Sequence, residues 1–226
     1  MTDIKFIIIV PHGYCGDIAM RHCDVVAKKQ SEKILNKLKS MGYDPAYFIA
    51  DRYRSEMDYN RMVARNTTLR NDVRNLVKKY AAENCNIVIF EVHSFPGKLY
   101  TFYDFDDADF AFLSIPKYSN DADNMVDAVI KNTKVVPKHV QSTETNDIQF
   151  DLENISNKIQ HYLIEFNEDK TQSADIYDVI IETSIKIATC YPRTYWVILA
   201  IVILLCCLVY NNKIHLPDIK SLIYNE

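Results

Sequence analysis

Three short apolar runs in this 226-residue chain carry side chains capable of chemistry at or near their ends. Phe6-Ile-Ile-Ile-Val10 is followed at once by Pro11-His12-Gly13. Asn86-Ile-Val-Ile-Phe-Glu-Val92 leads into His93-Ser94, and Tyr162-Leu-Ile-Glu165-Phe166 holds an acid in an otherwise apolar segment. Two imidazoles and a carboxylate suit one catalytic zinc ion with a position left open for water. The third ligand is sought after His12, where Asp17 and Asp24 are the candidates. Asp24 is favoured because it sits near the start of a helix that would hold its carboxylate. A zinc-like ion lowers the pKa of water toward about 7, and a second carboxylate must then carry the proton to a leaving amine. Glu165 fits that role, since an acid in an apolar strand needs a reason to be there; Asp151, Glu153 and Glu182 are the alternatives. Arg54-Ser-Glu-Met-Asp58-Tyr-Asn60-Arg61 suits a carboxylate-bearing substrate. The Arg61 guanidinium offers a two-pronged donor and the Asn60 amide one more. Asp58 would orient Arg61, and Arg54 would bind an anion or stabilise a developing oxyanion.

Taken singly, each feature has an ordinary explanation. A histidine after a strand is more often structural, Asp58 or Asn60 can cap a helix, Glu91 can make a salt bridge, and Glu165 can pair with a lysine. What favours chemistry is their conjunction at successive strand ends.

The elements that must position these residues alternate between strand and helix. Strands are expected at 5–10, 46–49, 86–92, 110–115, 135–140 and 161–166. Helices are expected at 21–41 (closed by Gly42), 61–83, 121–131, 154–159 and 174–188. Such alternation implies an α/β fold, a mainly parallel or mixed sheet with helices on both faces. Ligands in such sheets sit beyond the carboxyl ends of the strands.

In Val10-Pro11-His12-Gly13, Cys23-Asp24, Asp58-Tyr59-Asn60-Arg61 and Val92-His93-Ser94, the chain resembles the N-formylglutamate amidohydrolase family. More distantly it resembles the zinc carboxypeptidases of the phosphorylase/hydrolase-like fold. The likeness spans residues 4–96, with a weaker match where residues 162–168 look like the strand that carries the family's glutamate base. The resemblance implies that His12, Asp24 and His93 bind one Zn2+, that Asn60 and Arg61 hold a substrate carboxylate, and that Glu165 is the base. The implied activity is hydrolysis of an amide next to a carboxylate, in a small N-acyl amino acid or a peptide end. The alternative is a catalytically decayed binding or structural protein on the same scaffold.

The six cysteines show no Cys-x-x-Cys spacing, so reduced thiols are expected. A net charge of −4 without a basic stripe argues against nucleic acid as a partner. The heavy use of Asn, Ile, Lys, Asp and Tyr is what an AT-rich genome imposes, as in large DNA viruses. The 6–10 run is too short for a signal-peptide core. Residues 194–212, by contrast, are nineteen consecutive uncharged residues, centred on Trp196-Val-Ile-Leu-Ala-Ile-Val-Ile-Leu-Leu-Cys-Cys-Leu-Val-Tyr210. As a helix they span roughly 28 Å, a bilayer's hydrocarbon thickness, with Tyr191, Tyr195, Trp196 and Tyr210 as interfacial belts. The expected organisation is an α/β hydrolase-like domain over 1–190, a single-pass anchor in the lipid bilayer over 194–212 and a polar tail over 213–226. The bulk of the protein would face the cytosol.

Overall fold

The computed structural model of the chain describes residues 3–15, 23–96, 108–141 and 147–189, together with Ile203. The chain separates into a unit spanning Met1–Ala188 and a second spanning Thr189–Glu226. In the first unit the strands are β1 (Ile4–Val10), β2 (Ala46–Ile49), β3 (Asn86–Phe95), β4 (Phe110–Ser114), β5 (Pro137–Gln141) and β6 (Ile159–Asn167). The helices are α1 (Ala27–Ser40), α2 (Thr68–Ala82), α3 (Ser119–Asn132) and α4 (Asp147–Leu152), followed by α5 over 175–189. The strands form one six-stranded sheet in the order β2-β1-β3-β6-β4-β5. β2, β1, β3 and β6 run parallel, β4 is antiparallel to β6, and β5 is parallel to β4.

Side chains alternate across a strand, and here the alternation assigns the two faces. Phe6, Ile8, Val88, Phe90, Phe112, Tyr162 and Ile164 pack with Ile34 and Leu38 of α1, Met125 of α3 and Ile180 of α5. Ile7, Ile9, Ile87, Ile89 and Ile159 pack with Val73 and Val77 of α2 and with Ile148 and Leu152 of α4. The central strands are apolar in continuous runs because both faces are covered: every residue of β3 is buried.

The mixed sheet and two-sided helical cover agree with the sequence reading, and several boundaries differ. The helix expected over 61–83 is broken. A short 3-10 turn occupies Met62–Ala64, and α2 begins only at Thr68, because Arg61 and Thr67 are extended. The helix expected at 154–159 lies instead at Asp147–Leu152. α1 starts at Ala27, so Asp24 precedes it. β3 continues to Phe95, so His93 lies within the strand and not past its end. Among the described residues no helix is long and apolar enough to cross a membrane. Apart from the helical and exposed Ile203, the expected anchor at 194–212 and tail at 213–226 lie outside the described residues.

Candidate metal centre

The site forms where β1, β3 and β6 end side by side. His12 occupies the turn closing β1, whose Val10 carbonyl accepts the N–H of Gly13 at 3.3 Å and of Ala50 at 3.0 Å. A Cβ at Gly13 would stand 2.7 Å from Val10 Cγ1 and 3.0 Å from Ile49 side-chain carbons. The turn that presents His12 therefore admits only glycine without displacement. The Asp24 backbone N–H donates to the His12 carbonyl at 3.1 Å, which carries the second candidate ligand back to the first. Past it, the Val25 N–H donates to Glu168 Oε1 at 3.0 Å and the Val26 N–H to Ser94 Oγ at 3.3 Å. Ser94 Oγ itself donates to Glu168 Oε1 at 2.6 Å. Asp24 is thus held by its own N–H on the His12 carbonyl and by the next two N–H groups, which donate to the Glu168 and Ser94 side chains, not by the helix expected to hold it. Asp17, the alternative ligand, lies outside the described residues.

A disulfide joins Cys15 to Cys23, with their Cα atoms 5.1 Å apart. This corrects the expectation of reduced thiols for that pair. The two cysteines are eight positions apart, a spacing that by itself signals no pairing.

His12, Asp24 and His93 each offer one ligand atom, and these atoms lie within 4.8 Å of one another. Both imidazoles address the same oxygen: His12 Nδ1 is 3.2 Å and His93 Nδ1 2.9 Å from Asp24 Oδ2. The outer nitrogens also meet carboxylates. His12 Nε2 is 2.7 Å from Asp58 Oδ1, and His93 Nε2 is 3.1 Å from Glu91 Oε1. A neutral imidazole has one N–H, so with acceptors at both nitrogens each ring would turn one lone pair on an oxygen. A second proton on each ring, or a cation between the two Nδ1 atoms and Asp24, resolves the conflict. Two nitrogens and a carboxylate oxygen, all on residues at most 5% exposed, are a donor set that fits a divalent metal such as zinc.

Burial alone would raise the Asp24 carboxyl, but the hydrogen bonds from His12 and His93 outweigh it and hold the group well below the usual range. Asp58 follows the same pattern: desolvation raises it, and His12, Arg54 and the Asn60 N–H bring it far below. For His93, desolvation opposes the charged form, yet the bonds to Asp24 and Glu91 carry its pKa well above the ordinary value. Glu165 behaves oppositely. It sits across from His93 in the β3–β6 register and is half-buried. Burial, with Asp24 adding to it, pushes its carboxyl up to about 7 against the lowering pull of His93, His12 and Arg54.

The arginines lie at the mouth. Arg54 Nη1 is 3.7 Å from Asp24 Oδ1 and its Nε is 3.4 Å from Asp58 Oδ2, while Arg61 Nε is 3.6 Å from the same Asp58 oxygen. Both arginine side chains are 43% exposed. Asp58, expected to orient Arg61, contacts it and makes a shorter bond to His12. Asn60 is buried, and its Oδ1 has no hydrogen-bond partner among the described residues.

The alternative acids are elsewhere. Asp151 is engaged by Arg65, Arg70 and Arg74; Glu153 follows α4, and Glu182 is exposed on α5. Glu91 and His161 were not singled out as site residues from the sequence. The signal was present in Glu91, an acid inside an apolar strand, the same argument that selected Glu165. A second chain of polar groups links Ser114 Oγ to His139 Nε2 at 2.8 Å and His139 Nδ1 to Asp123 Oδ1 at 2.6 Å. This is the connectivity of a serine triad, but Ser114 is 1% exposed. Its hydroxyl is closed to a substrate, and the chain ties β5 and α3 to β4.

The chain matches no protein-family model and no curated protein. Its fold is that of a gene product, Atu2144, from Agrobacterium tumefaciens: TM-score 0.62 at 12% identity, covering 82% of this chain and 92% of that one. Two amidases align at lower scores. The N-acetylmuramoyl-L-alanine amidase AmiC2 of Nostoc punctiforme has a TM-score of 0.41 at 12% identity, covering 83% of this chain and 97% of its own. The CwlD amidase of Clostridioides difficile, solved in complex with the GerS lipoprotein, has 0.45 at 13% identity, covering 83% and 98%.

Proposed function

We propose that this protein is a zinc-dependent hydrolase of the N-formylglutamate amidohydrolase or carboxypeptidase kind, cleaving an amide bond next to a carboxylate. In this reading residues 194–212 tether it to a membrane, as for a viral or other membrane protein. The observation that carries the proposal is the meeting of His12 Nδ1 and His93 Nδ1 at Asp24 Oδ2. His12, Asp24 and His93 would hold the ion, which when bound supplies Lewis acidity and eases deprotonation of water. Glu165, with a carboxyl at about 7, is poised to take a proton near neutral pH and return it to the leaving amine. Arg61 and Arg54 are in loose contact with Asp58, at 3.6 and 3.4 Å, so a substrate carboxylate can exchange for it and gain a bidentate partner. Asn60 is assigned with Arg61 to the substrate carboxylate, its amide as one more donor.

The test is metal analysis of the purified full-length protein, wild type against His12→Ala and His93→Ala, with hydrolysis of N-acyl amino acids and of matched amides lacking the carboxylate. The wild type should hold one zinc per chain and each variant far less, with cleavage confined to the carboxylate-bearing substrates. A wild type free of stoichiometric metal removes the proposal. Metal without turnover, together with a Glu165→Gln protein that works as well as wild type in the cell, favours the decayed binding protein. Sedimentation with phospholipid vesicles, lost when residues 194–212 are deleted, tests the tether.

A further inference from the structure

The strand that carries His93 also carries, two residues earlier, a carboxylate with no access to solvent. Glu91 is 0% exposed and lies on the face where Ile87 and Ile89 pack against Ile159. Both of its oxygens meet histidine: Oε1 is 3.1 Å from His93 Nε2, and Oε2 is 2.8 Å from His161 Nε2. His161, 1% exposed, has its ring centroid 5.8 Å from that of Tyr118, and its Nδ1 has no hydrogen-bond partner among the described residues. A buried charged pair is seldom the most stable filling of a core; apolar side chains of like volume do as well or better. The pair therefore calls for a role in orientation.

The two candidate ligands are supported in different ways. His12 leans on Asp58, which is 22% exposed and shared with Arg54 and Arg61 at the mouth. His93 leans on a carboxylate sealed in the core and backed by a second imidazole. Resting on the metal reading above, we propose that Glu91 and His161 are positioning residues for the metal centre. Glu91 accepts the Nε2–H of His93, which leaves Nδ1 as the ligand atom, and His161 donates Nε2–H to the other oxygen and stops the carboxylate from rotating. Outer carboxylates of this kind fix the tautomer and ring orientation of a metal-bound histidine, and losing one lowers metal affinity about 10–100-fold. The centre is thus built outward from the core: His161 sets Glu91, Glu91 sets His93, and the mouth residues are left to deal with substrate.

The experiment measures zinc affinity by chelator competition on the full-length protein, for wild type, Glu91→Gln and His161→Asn, alongside nitrogen-15 NMR of the histidine rings in zinc-loaded wild type. The amide that Glu91→Gln introduces can offer its oxygen to only one of the two imidazoles. Glu91→Gln should bind zinc about 10–100-fold more weakly, His161→Asn should shift affinity in the same direction, and the His93 proton should sit on Nε2. A folded Glu91→Gln protein that binds zinc within about threefold of wild type overturns the proposal and leaves the metal site standing. So does a proton on Nδ1 of His93 in the zinc-loaded wild type, a measurement that needs no variant. Should Glu91→Gln fail to fold, His161→Asn decides, since it keeps the carboxylate: unchanged affinity there refutes the buttress. A wild type that binds no zinc fails at the parent reading, not here.

Discussion

Replacing Glu165 by Gln should slow hydrolysis and, in the metal-free protein, raise stability in a pH-dependent way. The folded protein lifts this carboxyl from 4.5 to about 7. At about 1.36 kcal/mol per decade, ionising it in the fold costs about 3 kcal/mol; solvent reaching the half-buried group screens that to about 1–2 kcal/mol. The sign follows from proton counting. Below the unfolded pKa both states are protonated and the cost is absent. Between about 4.5 and 7 the folded state keeps a proton that the unfolded state has released, so stability falls as pH rises. Above about 7 the cost is fully present and constant. Glu165→Gln removes it, so thermal unfolding of the metal-free proteins should show nearly equal midpoints at about pH 4 and a variant more stable by about 2–8 °C at about pH 8. Bound metal stabilises a neighbouring carboxylate and should narrow the gap. Hydrolysis should fall about 10²–10⁴-fold. A midpoint difference of the same size at both pH values, or a variant destabilised at pH 8, would refute the assignment of Glu165 as an acid strained by its surroundings.

Two further perturbations probe the scaffold. Asp151→Asn strips the counter-charge from the Arg65, Arg70 and Arg74 cluster, in which the Asp151 and Arg70 side chains are each 1% exposed. A loss of about 3–5 kcal/mol is expected, read as a lower urea midpoint at unchanged slope and unchanged metal content. A loss under about 1 kcal/mol would mean that the Tyr59 and Asp147 carbonyls alone satisfy Arg70. Reducing the Cys15–Cys23 bridge, which spans the segment between His12 and Asp24, releases about 2–3 kcal/mol of loop constraint. A chelator should then strip the metal more readily, and retention unaltered by a non-chelating phosphine reductant would contradict that link.

Much of the site was visible in the chain because its residues violate local rules. Pro-His-Gly behind five apolar residues, and acids at 91 and 165 within apolar strands, are costly unless something compensates, and the cost marks them. The parallel alternation of strands and helices was legible for the same reason: two-sided burial demands apolar runs, and short connections need glycine or a turn. The boundaries around the site were less so. Asp24 was expected inside a helix running from residue 21, yet its N–H donates to the His12 carbonyl and α1 begins only at Ala27. The helix expected from Arg61 is interrupted because Arg61 and Thr67 both have extended backbone, leaving only a 3-10 turn between them before α2.

From the residues alone came the donor types, the candidate acid at 165, the class of fold and an apolar stretch long enough for a bilayer, since composition and periodicity are local properties of the chain. Three-dimensional folding alone decided which carboxylate stands behind which imidazole, that Asp58 serves His12 and Glu91 serves His93, and that Cys15 reaches Cys23. Those pairings depend on register between strands and on loops returning to them, and neither distance along the chain nor residue type encodes which atoms a folded backbone brings within hydrogen-bonding reach.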